Sequence, residues 1–170
     1  MDLDPLEWSG AVIAGVVPGL PARVLETAAE YARLRSAPLV VAYVDVTRFV
    51  TYEDPDGTTP TAPIDLNLVS SAAAADEVRT QAAARLDGSG MLWAVRSLVG
   101  DPAMALKALA EQLDSPLLVV GTRRRGFGET IREFFTGSVA VRLAHRQHRP
   151  VLVVPLQEPT APDAPWREES

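Results

Sequence analysis

Between Gly121 and Ser138 the chain reads Gly121-Thr-Arg-Arg-Arg-Gly-Phe-Gly128 and then, at the end of the segment, Thr136-Gly137-Ser138. These residue types suit anion binding. Glycines let a backbone approach a ligand closely and adopt positive φ. Arg123, Arg124 and Arg125 supply charge-assisted hydrogen bonds to phosphate oxygens. A helix opening at Gly137-Ser138 would offer free amides and the positive end of its dipole, with the Ser138 hydroxyl as a further donor. The same composition also describes an ordinary turn with solvated arginines. The phosphate reading comes from position, because the segment follows an apolar run and precedes a helical pattern.

Other candidate chemistry is sparse. His145 and His148 lie three apart at the end of a helical segment, where solvated cations are favoured, and a metal would need more ligands than this stretch holds. Asp101 precedes Pro102, an arrangement that reads as a helix N-cap more readily than as a catalytic acid. Ser138 lacks the Gly-x-Ser-x-Gly surroundings of a nucleophile elbow. Gly121-x4-Gly126 matches the glycines of a P-loop, but Phe127 stands where its lysine belongs. No catalytic set and no metal site is expected, and slow ATP hydrolysis is the most that an enzymatic reading allows.

The elements that must position the glycine- and arginine-rich segment follow from apolar runs and breakers. Ala11–Val17, Pro38–Val44, Leu92–Leu98, Leu117–Val120 and Val151–Val154 are short, mostly apolar runs, as expected of strands buried on both faces of a parallel sheet. Helical spacing appears over 22–35, 67–86, 102–113 and about 138–147. Residues 45–66, rich in Pro, Thr and Asp, read as a long connection. The order predicts an α/β fold, a doubly wound five-stranded parallel sheet with helices on both faces. Such sheets bind ligands beyond the carboxyl ends of their strands, and the segments 17–21, 45–66 and 121–137 gather at that edge. The expected organisation is a loose leader over 1–9, one domain over 10–155, and a disordered tail rich in proline and acids over 156–170. Trp8 and Trp166 fall in the presumed tails, and Trp93 in a strand.

Composition narrows the function classes. The 170 residues carry a net charge of −6 and no cysteine. Thiol catalysis, thiolate metal sites and disulfides are excluded. An acidic balance argues against a general nucleic-acid or anionic-membrane surface. The first residues read as no secretory signal, and a cytoplasmic protein is expected.

Four stretches carry a family resemblance: Val99-Gly-Asp-Pro102, Ser115-Pro-Leu-Leu-Val-Val-Gly-Thr122, Gly137-Ser-Val139 and Arg149-Pro-Val-Leu-Val-Val-Pro155. Together they resemble the C-terminal half of a universal stress protein, and the order of elements over residues 10–155 is similar throughout. The resemblance implies a sheet of the adenine nucleotide alpha hydrolase-like kind. It also implies a homodimer paired through the last strand, here Val151–Val154 with Leu152 near its centre; composition, not the resemblance, argues for no membrane and no nucleic-acid partner. Nucleotide-binding members carry Gly-x2-Gly-x9-Gly-Ser/Thr for the phosphates of ATP and an aspartate at the end of the first strand. Here Gly121 and Gly137-Ser138 match the ends of that motif, Arg124 replaces the second glycine, and the loop is three residues longer. Gly126 or Gly128 stands close enough to substitute for it. Val17 occupies the aspartate position. The resemblance thus implies nucleotide contacts at Val17, Pro18, Val44, Val120, Gly121, Arg123, Arg124, Gly126, Gly128, Gly137, Ser138 and Val139. The implied ligand is ATP or another adenine nucleotide, with Mg²⁺ as a candidate companion. Two functions are open: a dimeric nucleotide-binding sensor or adaptor in stress response, or a nucleotide-independent dimeric interaction module with a degraded motif.

Overall fold

The structure, a computed structural model, describes residues 7–19, 22–46, 64–122 and 139–156, with residues 64–71 as backbone. The element order is β1 (Val12–Val16), α1 (Ala22–Leu34), β2 (Leu39–Asp45), α2 (Ile64–Leu86), β3 (Trp93–Val99), α3 (Pro102–Gln112), β4 (Leu118–Gly121), α4 (Val139–Arg146) and β5 (Val151–Val154). All five strands are parallel, in the spatial order β3-β2-β1-β4-β5. This is the expected doubly wound sheet. Its order reverses between β1 and β4, which pair at Ile13↔Leu118, Ala14↔Val119 and Gly15↔Val120.

Strand periodicity sorts the core into two layers. Val12, Ala14 and Val16 face α1 and α2 together with Leu39, Val41, Tyr43, Leu117, Val119 and Val154. Ile13, Val40, Ala42, Leu118 and Val120 face α3 and α4 on the other side. A strand buried on both faces needs apolar residues at every position, which is why these runs carry no polar alternation. Gly15 lies at the centre of the second layer. A Cβ there would meet Leu106 Cδ1 at 3.0 Å and Val120 Cγ1 at 3.1 Å, so the missing side chain is what lets α3 lie close to the sheet.

Three features depart from the sequence reading. Trp8, assigned to a loose leader, is only 5% exposed and packs in the α3/α4 layer. Its segment is tied beneath the sheet by the Gly10 N–H, which donates to the Leu113 carbonyl at 2.8 Å, and by the Ala11 N–H, which donates to that of Trp8 at 3.2 Å. A lone tryptophan outside the periodic pattern gives no sign of which surface it covers. Asp45, assigned to the polar connection, instead ends β2 in register with Val99 and is 2% exposed. The helix expected from residue 67 starts at Ile64.

Local hydrogen bonds close the helices. Asp101 caps α3 through Oδ1, which accepts the Met104 N–H at 2.9 Å. At the end of α1, the Ser36 and Ala37 N–H groups donate to Arg33 and Ala32 carbonyls, with Ser36 at φ 51°. At the end of α3, the Asp114 and Ser115 N–H groups donate to Glu111 and Ala110 carbonyls, with Asp114 at φ 46°. Both are Schellman closures with a side chain where glycine is usual.

Candidate functional site at the carboxyl edge

The reversal of strand order separates the connections leaving β1 and β4, so a crevice opens beyond their carboxyl ends. Beyond the last pair, Gly15↔Val120, Val16 stays paired with β2 at Tyr43 and Gly121 with β5 at Val154, so the two strands part. Val17 is 48% exposed there, and Pro18 is partly exposed. A small apolar recess between Val17, the first turn of α1 and Val78 of α2 has room for about one water molecule, ≈ 20 Å³. A larger open groove of ≈ 390 Å³, bordered by Arg33, Pro38, Gly90 and Leu92, lies at the opposite, amino end of the strands. Among the described residues, none singled out for anion binding borders it. The carboxyl edge is therefore the candidate site, although it holds less free volume.

The anticipated contact residues divide into groups. Val17, Pro18 and Gly121 stand at the crevice. Val120 is 3% exposed and its side chain packs in the α3/α4 layer, so only its backbone faces the edge. Val44 and Val139 are half-buried against the same layer. Arg123, Arg124, Gly126, Gly128, Gly137 and Ser138 lie outside the described residues.

Gly121 has a packing role of its own. A Cβ at this position would lie 2.8 Å from Leu156 Cδ1 and 3.2 Å from Val24 Cγ2. Leu156 is held there by Thr122: the Leu156 N–H donates to Thr122 Oγ1 at 2.8 Å, and the Thr122 N–H donates to the Val154 carbonyl at 2.9 Å. The chain leaving β5 thus folds over the end of β4, and a side chain at 121 would have to push the Leu156 side chain aside. Sequence reasoning passed over Thr122, which lies inside the motif yet latches the fold.

Three carboxylates lie at this edge. Asp45 sits at the end of β2, and its carbonyl accepts the Gly100 N–H at 3.1 Å, tying β2 to the turn into α3. Burial, and next the negative charge of Asp45, hold the Tyr43 phenol above its ordinary pKa. Glu77 of α2 lies exposed beside the Gly19 turn and accepts from Gln81 Nε2 at 2.9 Å. Asp101 is shared between the Met104 N–H and Arg142, whose Nη2 lies 2.6 Å from Asp101 Oδ2. The helix-cap reading of Asp101 is the one the geometry shows. Among the described residues no three His, Asp or Glu side chains gather around a point that would hold a metal ion, and no helix is long and apolar enough to cross a membrane. His145 and His148 are both exposed. Mg²⁺ thus finds no ready-made ligand set among the described side chains.

The comparisons agree with this geometry. The family model described as the universal stress protein family matches residues 18–155. No curated protein matches the chain. Among solved structures, the universal stress protein UspA from Lactobacillus plantarum aligns with a TM-score of 0.64 at 18% identity, covering 86% of this chain and 97% of that one. A universal stress protein in complex with cAMP aligns at 0.51 and 26% identity, covering 88% and 98%. One from Archaeoglobus fulgidus in complex with dAMP aligns at 0.52 and 20%, covering 86% and 98%. The sheet order, the edge where β1 and β4 part and a family match spanning most of the chain lead to one assignment: this chain belongs to the universal stress protein family.

Proposed function

We propose that this protein binds an adenine nucleotide at the carboxyl edge of its sheet and acts as a dimeric sensor or adaptor in the cytoplasmic stress response. The observation that carries the reading is the crevice between the ends of β1 and β4, with Val17 exposed on one side and Gly121 on the other. The arginine-rich segment departs from that crevice, and α4 begins where the segment ends. The cAMP and dAMP complexes of structurally similar proteins support an adenine nucleotide as the ligand class. Binding energy would come from backbone amides and arginines at the phosphates, and from apolar contact with Val17 and Pro18 at the base. Calorimetric titration with ATP, ADP, AMP and cAMP tests it. Measurable binding of at least one below millimolar concentration is expected, and no heat with any of them at millimolar ligand would overturn it.

The nucleotide-independent module draws on two observations: Val17, the residue after β1, carries no carboxylate, and Gly121 has a packing role beside Leu156 and Val24. Both readings include a homodimer through β5. β5 pairs with β4 alone among the described residues, Val153 is 42% exposed, and the exposed Val141 lies on α4, which packs against β5. An unpaired apolar edge strand invites pairing with a second copy. Val153→Lys is a gentler probe than a charge at Leu152, because Leu152 packs against the α1/α2 layer. Monomers in light scattering with an unchanged circular dichroism spectrum are expected, and an intact dimer would move the interface elsewhere.

A further inference from the structure

α3 and α4 lie side by side on one face, and both start at the carboxyl edge. Two side-chain contacts fix their offset. Arg142 Nη2 lies 2.6 Å from Asp101 Oδ2, and one turn further along Arg146 Nη1 lies 3.4 Å from Met104 Sδ. Asp101 is therefore divided between the two helices, Oδ1 capping α3 and Oδ2 holding α4. The two paired side chains are 21% and 20% exposed, more sheltered than a surface pair.

α4 depends on such a tie. It has eight residues, and its buried side chains are Ala140 and Leu143. A helix of two turns has little stability of its own. Leu143, Ala140 and the half-buried Val139 hold it against the sheet, but apolar contacts are not directional, whereas an ion pair fixes a position along the axis. Arg142 also falls in the first turn, where a cation opposes the helix dipole unless an anion neutralises it. We propose that Asp101 and Arg142 are positioning residues: their pair sets the height of the first turn of α4 at the carboxyl edge, and with it the fit of that edge to the phosphates of the proposed ligand. The inference rests on the nucleotide reading above and concerns the polyphosphate part of the ligand, not the nucleoside.

The test titrates the full chain with ATP and with inorganic tripolyphosphate, and follows adenosine by ligand-observed NMR. Asp101→Asn keeps an oxygen for the Met104 N–H while removing the charge, and Arg142→Gln removes the other partner. All titrations are run where circular dichroism finds every variant folded. Each single variant is expected to weaken ATP and tripolyphosphate about three- to tenfold, the range of a partly sheltered ion pair. Adenosine should not respond, Arg142→Lys should recover part of the loss, and the double variant should be no weaker than the singles. Unchanged polyphosphate affinity, or equal losses for adenosine, would overturn the clamp while leaving nucleotide binding in place. A wild-type chain that binds neither ATP nor tripolyphosphate overturns the nucleotide reading and the clamp together.

Discussion

The two ends of the sheet are built differently. At the amino end, hydrogen bonds close the described connections: Schellman turns at Ser36 and Asp114, the Gly10 N–H on the Leu113 carbonyl, and Arg149 Nε donating to the Ser115 carbonyl at 3.0 Å. Trp8 closes this end from below. At the carboxyl end, Val17 is exposed, two chains diverge, and the polar groups are shared between elements, as Asp45, Asp101 and Thr122 are. One end is closed, by local turns and by bonds between elements alike, and the other is left open, with polar groups shared around it. That division lets stability reside at one edge while the other stays open to a ligand. It also predicts that changes at the amino end move stability alone, whereas changes at the carboxyl end move stability and binding together.

The largest effect expected at the amino end is from Trp8→Ala. Removing a buried tryptophan costs about 3–5 kcal/mol. The urea midpoint should fall accordingly, while ligand affinity measured on the folded variant stays that of the wild type. A stability change under about 1 kcal/mol would mean that the leader contributes little to the core, and would remove the amino end's main anchor.

At the carboxyl end the matching change is Gly121→Ala. With Leu156 at 2.8 Å and Val24 at 3.2 Å from the added methyl, overpacking should cost about 1–3 kcal/mol. Leu156→Ala in the same chain should return part of it, since the clash is with that side chain. If Gly121 serves a ligand alone, the single substitution leaves the unfolding midpoint unchanged and affects only binding.

These two residues also mark how far the sequence could be read. The sheet and its order were legible because strands buried on both faces must be apolar throughout and are bounded by Pro, Gly and Asp. Gly121 was legible as a glycine that something requires, but the competing requirements of ligand and Leu156 look alike without coordinates. Trp8 was not legible, since a side chain outside any periodic segment can cover the domain or face solvent. Asp45 was hidden for the opposite reason. The alternation Leu39, Val41, Tyr43 carries it onto the α1/α2 face, yet a charged residue at the end of an apolar run reads as the start of a loop. Residues 123–138 of the glycine- and arginine-rich segment lie outside the described residues, and their chemistry is read from residue types.

Tyr43 and Asp45 give a smaller, pH-dependent effect on the carboxyl side. The folded pKa of Tyr43 is raised, chiefly by burial and then by the Asp45 charge, so the folded state keeps this proton after unfolded tyrosine has begun to lose it. Stability is unaffected below pH 10 and falls as pH rises from the unfolded value of about 10 through the higher folded one. Urea unfolding between pH 8 and 11 should show this decline in the wild type, and Tyr43→Phe should flatten it. Asp45→Asn should flatten it only in part, because its charge is the lesser cause. An identical pH slope in Tyr43→Phe would assign the alkaline loss to other groups.

The smallest change tests the amino end by improving it. Ser36 occupies the left-handed region at φ 51°, where a side chain is strained and glycine is not. Ser36→Gly should therefore raise stability by about 0.5–1 kcal/mol, the relief of strain being partly offset by the greater freedom of glycine in the unfolded chain. Asp114, at φ 46°, offers the same relief, but Asp114→Gly also removes the Arg149 contact at 3.5 Å. The Asp114 side chain is 87% exposed, so that contact contributes little. The two substitutions should then give nearly equal gains in unfolding midpoint. A gain at Ser36 with a loss at Asp114 would show that Arg149, which also holds the Ser115 carbonyl, needs its carboxylate to keep the entry to β5 in place. Position 114 would then belong, with the Ser115 carbonyl, to the ties that close the amino end, and its turn could not be relaxed independently of β5.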